Sequence, residues 1–295
     1  MSDDRRRENS DRKPRREYGD RDRDRRGGSS QSQGRGHSAG PKRGWDDNRR
    51  DERKIRHDRS TPQRQGFRED RMAQKADEPD IPSDVDINDL DPMVIQDLKV
   101  LSKDNAERVA QHMIMSATLI EDDPDLALRH ARAAKNRAGR VGVAREMNGI
   151  AAYHAGEWKE ALAELRAARR MMGGPGLLSV MADCERGLGR PEKAIELFRS
   201  PEARELDPAS RIELGIVVAG ARRDLGQDEA AVATLQKLQP TMESNDISQM
   251  RLAYAYADAL LAVNRVDEAK GWFTHVAKID VEELTDAAQR VEELG

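Results

Sequence analysis

The chain has 295 residues and a formal net charge of −4, with one cysteine and 3% aromatic residues. A single cysteine excludes an internal disulfide framework and a multi-cysteine metal site. No apolar stretch near the N-terminus has the form of a secretory signal, and no apolar run approaches the ~20 residues of a membrane-spanning helix. These features predict a soluble, cytoplasmic protein without a membrane span.

The small net charge conceals two parts of opposite sign. Residues 1–76 contain 24 Lys+Arg and 15 Asp+Glu, whereas residues 77–295 contain 27 Lys+Arg and 40 Asp+Glu. Such an asymmetry suggests that the two parts have separate partners. The second part, of roughly 200 residues, is long enough to bury a sizeable core.

Residues 1–80 are low in complexity, and Arg, Asp, Gly, Ser and Gln dominate them. Because they contain few apolar side chains, burial cannot offset the entropy of ordering, and a disordered tail is predicted. The alternating charges of residues 20–26 are typical of a solvated polyampholyte. Arg26-Gly27-Gly28 and Gly34-Arg35-Gly36 instead favour weak RNA or DNA contact through residues 1–76. The interleaved aspartates oppose phosphate binding. Both interpretations therefore stay open, as does contact with a membrane surface or another acidic surface.

Residues 81–103 are predicted to form an acidic connector and a short leading helix. Asp91 has the position of an N-cap, and Pro92 follows it at the first helical position. Asp104 and Glu107 have the spacing of a capping box, which predicts the start of the next helix there. From this point to the end, amphipathic helices alternate with short breakers, and no convincing strand pattern appears.

A repeated pattern organises residues 104–280. Five alanines recur at steps of 34, 33, 37 and 38 residues: Ala127, Ala161, Ala194, Ala231 and Ala269. A period in this range is typical of stacked helix pairs.

The residues between the apolar helices have the properties of helix ends. Gly or Asn after a helix can take the left-handed conformation that ends it, and this is predicted for Gly156, Gly189, Gly226 and Asn264. Proline is tolerated at the first helical position, which predicts helix starts at Pro124, Pro175, Pro191 and Pro208.

The pattern resembles the tetratricopeptide repeat (TPR) family, although the early tryptophan of that family is absent. The best-matching repeat has Gly149, Gly156, Trp158, Ala161, Leu165 and Ala168. The resemblance implies an all-α fold, in which about five TPR-like helix pairs over 104–280 form an α-solenoid. Small residues at Gly149, Ala182, Ala219 and Ala257 would allow close helix approach, and residues 281–295 would form a C-terminal capping helix. With its charged tail, the chain also resembles bacterial proteins of this family whose role is unassigned.

In this family the first helix of each pair lines a concave groove. Projecting that register predicts a partner-binding groove formed by His112, Glu146, Tyr153, Asp183, Arg186, Arg223, Arg251, Tyr254 and Asp258. Aromatic residues and arginine are favoured anchors at interfaces. The resemblance therefore implies a non-enzymatic adaptor or scaffold that binds a peptide or protein segment. The family's clamp for peptide carboxylates needs Lys and Asn where His112 and Ser116 stand, so that specificity is not implied.

No catalytic, cofactor or metal site is expected. The six histidines are scattered without metal-ligand spacing. Cys184 lies between Asp183 and Glu185, whose charges should raise the pKa of its thiol and oppose activation. The alternative function is a nucleic-acid- or ribosome-associated protein that uses its basic tail, and an enzyme with an unrecognised site is the third hypothesis. The sequence predicts neither the identity of the partner nor the oligomeric state.

Overall fold

The computed structural model describes residues 69, 72–73 and 77–295. The predicted disorder of the tail and its contact with RNA or DNA fall almost entirely outside these residues and stay predictions. The described part is all-helical and contains no strand, which confirms the predicted fold class at this level.

Twelve α-helices follow one another in the described part of the chain, with two single-turn 3-10 helices between them. They are η1 (Ile87–Asp89), α1 (Pro92–Leu98), α2 (Lys103–Leu119), α3 (Pro124–Arg137), α4 (Gly142–His154), α5 (Trp158–Met172), α6 (Leu178–Gly187), α7 (Pro191–Phe198), η2 (Glu202–Arg204), α8 (Pro208–Asp224), α9 (Asp228–Gln236), α10 (Ile247–Ala262), α11 (Val266–Ile279) and α12 (Ala287–Glu293).

Each helix from α2 to α10 packs against the next helix along the chain, and we group them as five successive pairs: α2 with α3, α4 with α5, α6 with α7, α8 with α9, and α10 with α11. The first helix of each pair also contacts the first helix of the next pair, from α2 through α4, α6 and α8 to α10. Helix α12 packs on α11 at the C-terminal end. The first helices of neighbouring pairs therefore lie side by side, which brings together residues that are far apart in sequence.

The repeated alanines lie in the core. All five of them, from Ala127 to Ala269, are fully buried. Gly149 on α4 is buried against α5, and a Cβ atom built on it would lie 2.6 Å from Cγ of Leu165. Only glycine fits at this distance, so the small residue sets the approach of α4 to α5.

The helix ends follow local rules. Side-chain oxygens of Asp91, Asp123 and Asp207 accept hydrogen bonds from backbone N–H groups in the first turns of α1, α3 and α8. A positive φ is found at all four predicted breakers, with 73° at Gly156, 69° at Gly189 and Gly226, and 61° at Asn264. The predicted left-handed helix ends are therefore confirmed.

Three predicted helix starts differ from the structure. Helix α2 begins at Lys103 after Ser102, so Asp104 lies inside its first turn and does not cap it. Pro175 does not start a helix, because the positive φ angles of Gly173, Gly174 and Gly176 keep the backbone non-helical until α6 begins at Leu178.

The last helix begins at Ala287, whereas the sequence predicted a helix from residue 281. The carboxylate of Asp280 accepts hydrogen bonds from the backbone N–H groups of Leu284 and Thr285, at 2.9 and 2.8 Å. Glu283 has a φ of 55°. These contacts hold residues 281–286 as a loop, called here the C-terminal loop, because its backbone donors bond to a side chain instead of to a helix.

Among the described residues, no helix combines the length and the apolar character needed to cross a membrane.

Candidate partner-binding surface

The predicted groove residues lie on the neighbouring first helices, and most of them bond to one another. On the N-terminal side, the Tyr153 hydroxyl on α4 donates to Oδ2 of Asp183 on α6, at 2.7 Å. Arg186 on α6 then donates from Nη1 to Oδ1 of Asp183, at 2.9 Å, and from Nε to Oδ2 of Asp224 on α8, at 2.8 Å. These contacts connect three first helices in a row.

The same arrangement continues through the last two pairs. Arg251 on α10 forms an ion pair with Glu213 on α8, with Nη2 and Oε2 2.9 Å apart. Asp258 on α10 accepts from Arg223 on α8, and also from Nη2 of Arg290 on α12 at 3.1 Å. The Tyr254 hydroxyl on α10 donates to Asp286 at the start of α12. We call these linked side chains, from Tyr153 to Arg290, the polar ladder.

Burial and hydrogen bonding keep the side chains of the polar ladder in the protonation states that these bonds require. Burial raises the pKa of Tyr153, and its hydrogen bond to Asp183 adds to the shift. Burial and the bond to Asp286 raise the pKa of Tyr254 to about 12. The hydrogen bond that Arg186 donates to Asp224 raises the pKa of the Arg186 guanidinium. Both phenols therefore remain neutral donors and the arginines remain charged near neutral pH, so a partner would have to compete with internal contacts.

Two predicted groove residues stand outside the polar ladder. His112 is fully buried, and its Nδ1 lies 3.0 Å from Nδ1 of His130. Burial lowers the pKa of His112 to about 3, with smaller contributions from His130 and from Arg108. Glu146 is half-buried on α4, and this burial raises its pKa. In this structure His112 is therefore covered and out of contact with solvent, while Glu146 is partly accessible.

An apolar hollow of about 410 Å³ lies between α8, α10 and the C-terminal loop. Its volume falls in the range of about 300–1,000 Å³ that is typical of ligand pockets. Arg251 and Tyr254, two predicted groove residues, line it. The remaining lining residues are Ile216, Ile247, Met250, Ala255, Leu284 and Thr285. We call this the apolar hollow.

The apolar hollow combines exposed apolar side chains with one charged group. Ile247 and Leu284 are each 56% exposed, although both are large and aliphatic. The guanidinium of Arg251 stands among them, with 57% of its side chain exposed. Such a mixture can hold an apolar side chain and orient it through polar contacts.

Sequence reasoning placed Arg251 and Tyr254 at this surface but missed the apolar lining. Ile216 lies on α8 but was not among the predicted groove residues. Leu284 was assigned to a helix, and only the loop that Asp280 holds brings it against α10. No pattern in the sequence indicates that Leu284 lies against α10.

A second hollow, of about 310 Å³, lies between η1, α1 and α2. Its lining includes the aliphatic residues Ile87, Ile95, Leu98 and Leu101 together with three charged residues, Lys99, Lys103 and Glu107. It lies among residues that pack α1 onto the first pair, and no predicted groove residue lines it.

Two observations concern metal-binding and nucleophilic side chains in the described part of the chain. No group of three or more His, Cys, Asp or Glu side chains among them is arranged to hold a metal ion. Cys184 on α6 is fully buried, and burial raises the pKa of its thiol to about 12, with further contributions from Asp183 and Glu185. A thiol in this state is a poor nucleophile at neutral pH.

No protein-family model matches the chain, and no curated protein matches it.

Proposed function

We propose that the chain is a non-enzymatic binding protein of the tetratricopeptide repeat type, with five helix pairs stacked as an α-solenoid. The first helices would line a groove that takes a peptide or protein segment. The succession of helix pairs and the contacts between neighbouring first helices support this architecture. So does the burial of the five repeated alanines.

The observation that carries the proposal is the apolar hollow. It lies on the face formed by the first helices of the last two pairs, and it is open to solvent beside exposed Ile247 and Leu284. Filling such a hollow with a large aliphatic or aromatic side chain removes apolar surface from water on both partners. The proposed ligand is therefore a segment with one large apolar anchor, flanked by polar residues that contact Arg251.

The experiment selects peptides from a random phage-displayed library on the immobilised full-length protein. Selected peptides should share a large apolar residue, and their dissociation constants are then measured by fluorescence anisotropy. Leu284→Asp should weaken their binding at least about tenfold, because a carboxylate would face the apolar anchor. Val281→Asp is the matched control, since Val281 lies in the same loop, is 89% exposed and does not line the hollow.

Two results would contradict the proposal. One is a selection that yields no shared apolar residue. The other is a set of peptides that bind the Leu284→Asp and Val281→Asp variants equally well. The alternative function, nucleic-acid contact through residues 1–76, concerns residues outside the described part and stays a prediction.

A further inference from the structure

An acidic residue at the end of the predicted tail, just before the connector, is held in a buried position on the first helix pair. The Oε2 atom of Glu78 accepts hydrogen bonds from Nε and Nη2 of Arg137, at 3.0 and 2.5 Å. The Glu78 side chain is only 7% exposed, and Pro79 next to it is buried. Hydrogen bonds between a guanidinium and a carboxylate are charge-assisted and stronger than those between neutral groups. This contact bridges 59 residues of sequence.

The guanidinium that holds Glu78 is itself oriented by a third residue. Asn105, in the first turn of α2, accepts from Nη1 of Arg137 at 3.4 Å. Its amide Nδ2 donates to the backbone oxygen of Arg137 at 3.3 Å. Arg137 lies in the last turn of α3, so the two helices of the first pair build the site together. A site held by two packed helices is pre-organised for its ligand.

A second polar group faces the same carboxylate. Nε2 of His112 lies 3.7 Å from Oε2 of Glu78, and it has no hydrogen-bond partner among the described residues. The His112 side chain is fully buried, and its other nitrogen is engaged by His130. A buried polar atom without a partner is unusual in proteins. A carboxylate placed slightly closer than that of Glu78 would satisfy it.

The segment that carries Glu78 is poorly anchored compared with the helices beneath it. Residues 77–86 form turns and irregular backbone, and the first helical turn of the connector starts at Ile87. Detaching these residues would break local contacts but no α-helix. Detachment of this segment would also leave the largely buried guanidinium of Arg137 without its carboxylate partner, and an unpaired buried charge lowers stability.

We propose that Asn105, His112 and Arg137 form a carboxylate-binding subsite, and that Glu78 occupies it in place of an acidic peptide of the partner. The chemistry of the ligand is read from the occupant, Asp77-Glu78-Pro79-Asp80, in which three acids surround one proline. Displacement of Glu78 by a partner opens the subsite. This inference rests on the proposed function in one respect, since it takes the partner to be a peptide segment.

Occupation by a tethered segment has a quantitative consequence. A ligand on the same chain competes at a high effective concentration, so the intact protein binds a free acidic peptide weakly. Removal of the Glu78 carboxylate frees the subsite. The apparent affinity for the free peptide then rises by the same factor by which the tethered segment had reduced it.

The experiment uses the full-length protein and a fluorescein-labelled synthetic peptide with the sequence of residues 77–84, with fluorescence anisotropy as the measurement. Glu78→Ala in the protein should tighten peptide binding at least about tenfold relative to wild type. Asp84→Ala is the matched control, because Asp84 is an exposed acid six residues further along the chain and its replacement should leave the affinity of the wild type unchanged.

A peptide with glutamine at the position of Glu78 should bind the Glu78→Ala protein at least about tenfold more weakly than the glutamate peptide. Adding Arg137→Gln to the Glu78→Ala protein should abolish the gain in affinity for the glutamate peptide. If the Arg137 variant does not fold, the comparison of the two peptides on the Glu78→Ala protein decides the question by itself.

Equal binding by the wild-type and Glu78→Ala proteins would overturn the proposal, and so would equal binding of the glutamate and glutamine peptides. Either result leaves the peptide selection at the apolar hollow unaffected, because Leu284 follows the fifth pair and lines a hollow that does not include Glu78. Failure of this inference is therefore distinguishable from failure of the proposed function.

Discussion

The imidazole rings of His112 and His130 face each other inside the first helix pair, with their Nδ1 atoms 3.0 Å apart. Both residues are almost completely buried. One nitrogen must donate and the other accept, so at most one of the two Nδ1 atoms can carry a proton. Burial lowers the pKa of both rings below the ordinary value of 6.5, and that of His112 falls to about 3.

This pair should make stability depend on pH. Below pH 6.5 the unfolded chain binds a proton at His112, whereas the folded chain does not until the pH approaches 3. The free energy of unfolding should therefore fall as the pH drops, by about 2 kcal/mol between pH 7.5 and pH 5 from His112 alone. Urea denaturation at the two pH values measures this. His112→Gln should reduce the difference, and an unchanged difference in that variant would assign the effect to other groups.

Replacement by alanine should have opposite effects on stability at Gly149, where α4 closely approaches α5, and at Gly271 in α11. At Gly149 a Cβ atom would lie 2.6 Å from Cγ of Leu165 and 3.2 Å from its backbone nitrogen, so Gly149→Ala should destabilise the fold by about 1–3 kcal/mol. At Gly271 in α11, a Cβ atom would meet nothing within 4 Å. Gly271→Ala should instead stabilise the helix by about 0.5–1 kcal/mol. Thermal and urea unfolding check both, and two variants of equal stability would contradict the packing described for α4.

Asp258 is the point of the polar ladder where two arginines converge. Arg223 and Arg290 both donate to its carboxylate. Asp258→Asn keeps the shape of the side chain but removes the charge, so the unfolding free energy should fall by about 1 kcal/mol. The loss should shrink at high salt, because part of it is electrostatic.

A matched control for Asp258 is Asp122, which is exposed and has no ion pair among the described residues. Asp122→Asn should change the unfolding free energy by less than about 0.5 kcal/mol. Equal effects of the two substitutions would show that the contacts of Asp258 contribute nothing measurable.

Cys184 is a reporter of opening in the middle of the helical array. It is the single cysteine of the chain, it is fully buried, and burial raises the pKa of its thiol to about 12. A thiol reagent such as dithionitrobenzoate should therefore react only when the surrounding helices open. Labelling should be slow in buffer and rapid in denaturing urea. Fast labelling of the native protein would contradict the burial of α6.

The sequence alone determined those features that depend on local physics. Helix ends at Gly156, Gly189, Gly226 and Asn264 follow from the left-handed conformation, which is accessible to glycine and asparagine. The alanine spacing placed Ala127 and Ala194 in the core, because the periodicity of a helix determines which side chains share a face. The register taken from the resemblance to tetratricopeptide repeats named Arg251 and Tyr254, and both residues line the apolar hollow.

Only the tertiary structure decided which polar residues are paired, buried or open. Tyr153 and Asp183 are 30 residues apart, and Glu78 and Arg137 are 59 apart, so no local pattern predicts either contact. The burial of His112 depends on His130 of the next helix, and the position of Leu284 depends on a loop that Asp280 holds in place. Periodicity assigns a residue to a face of its helix, but the packing of neighbouring helices determines which atoms on that face meet, because hydrogen bonds require distances near 3 Å.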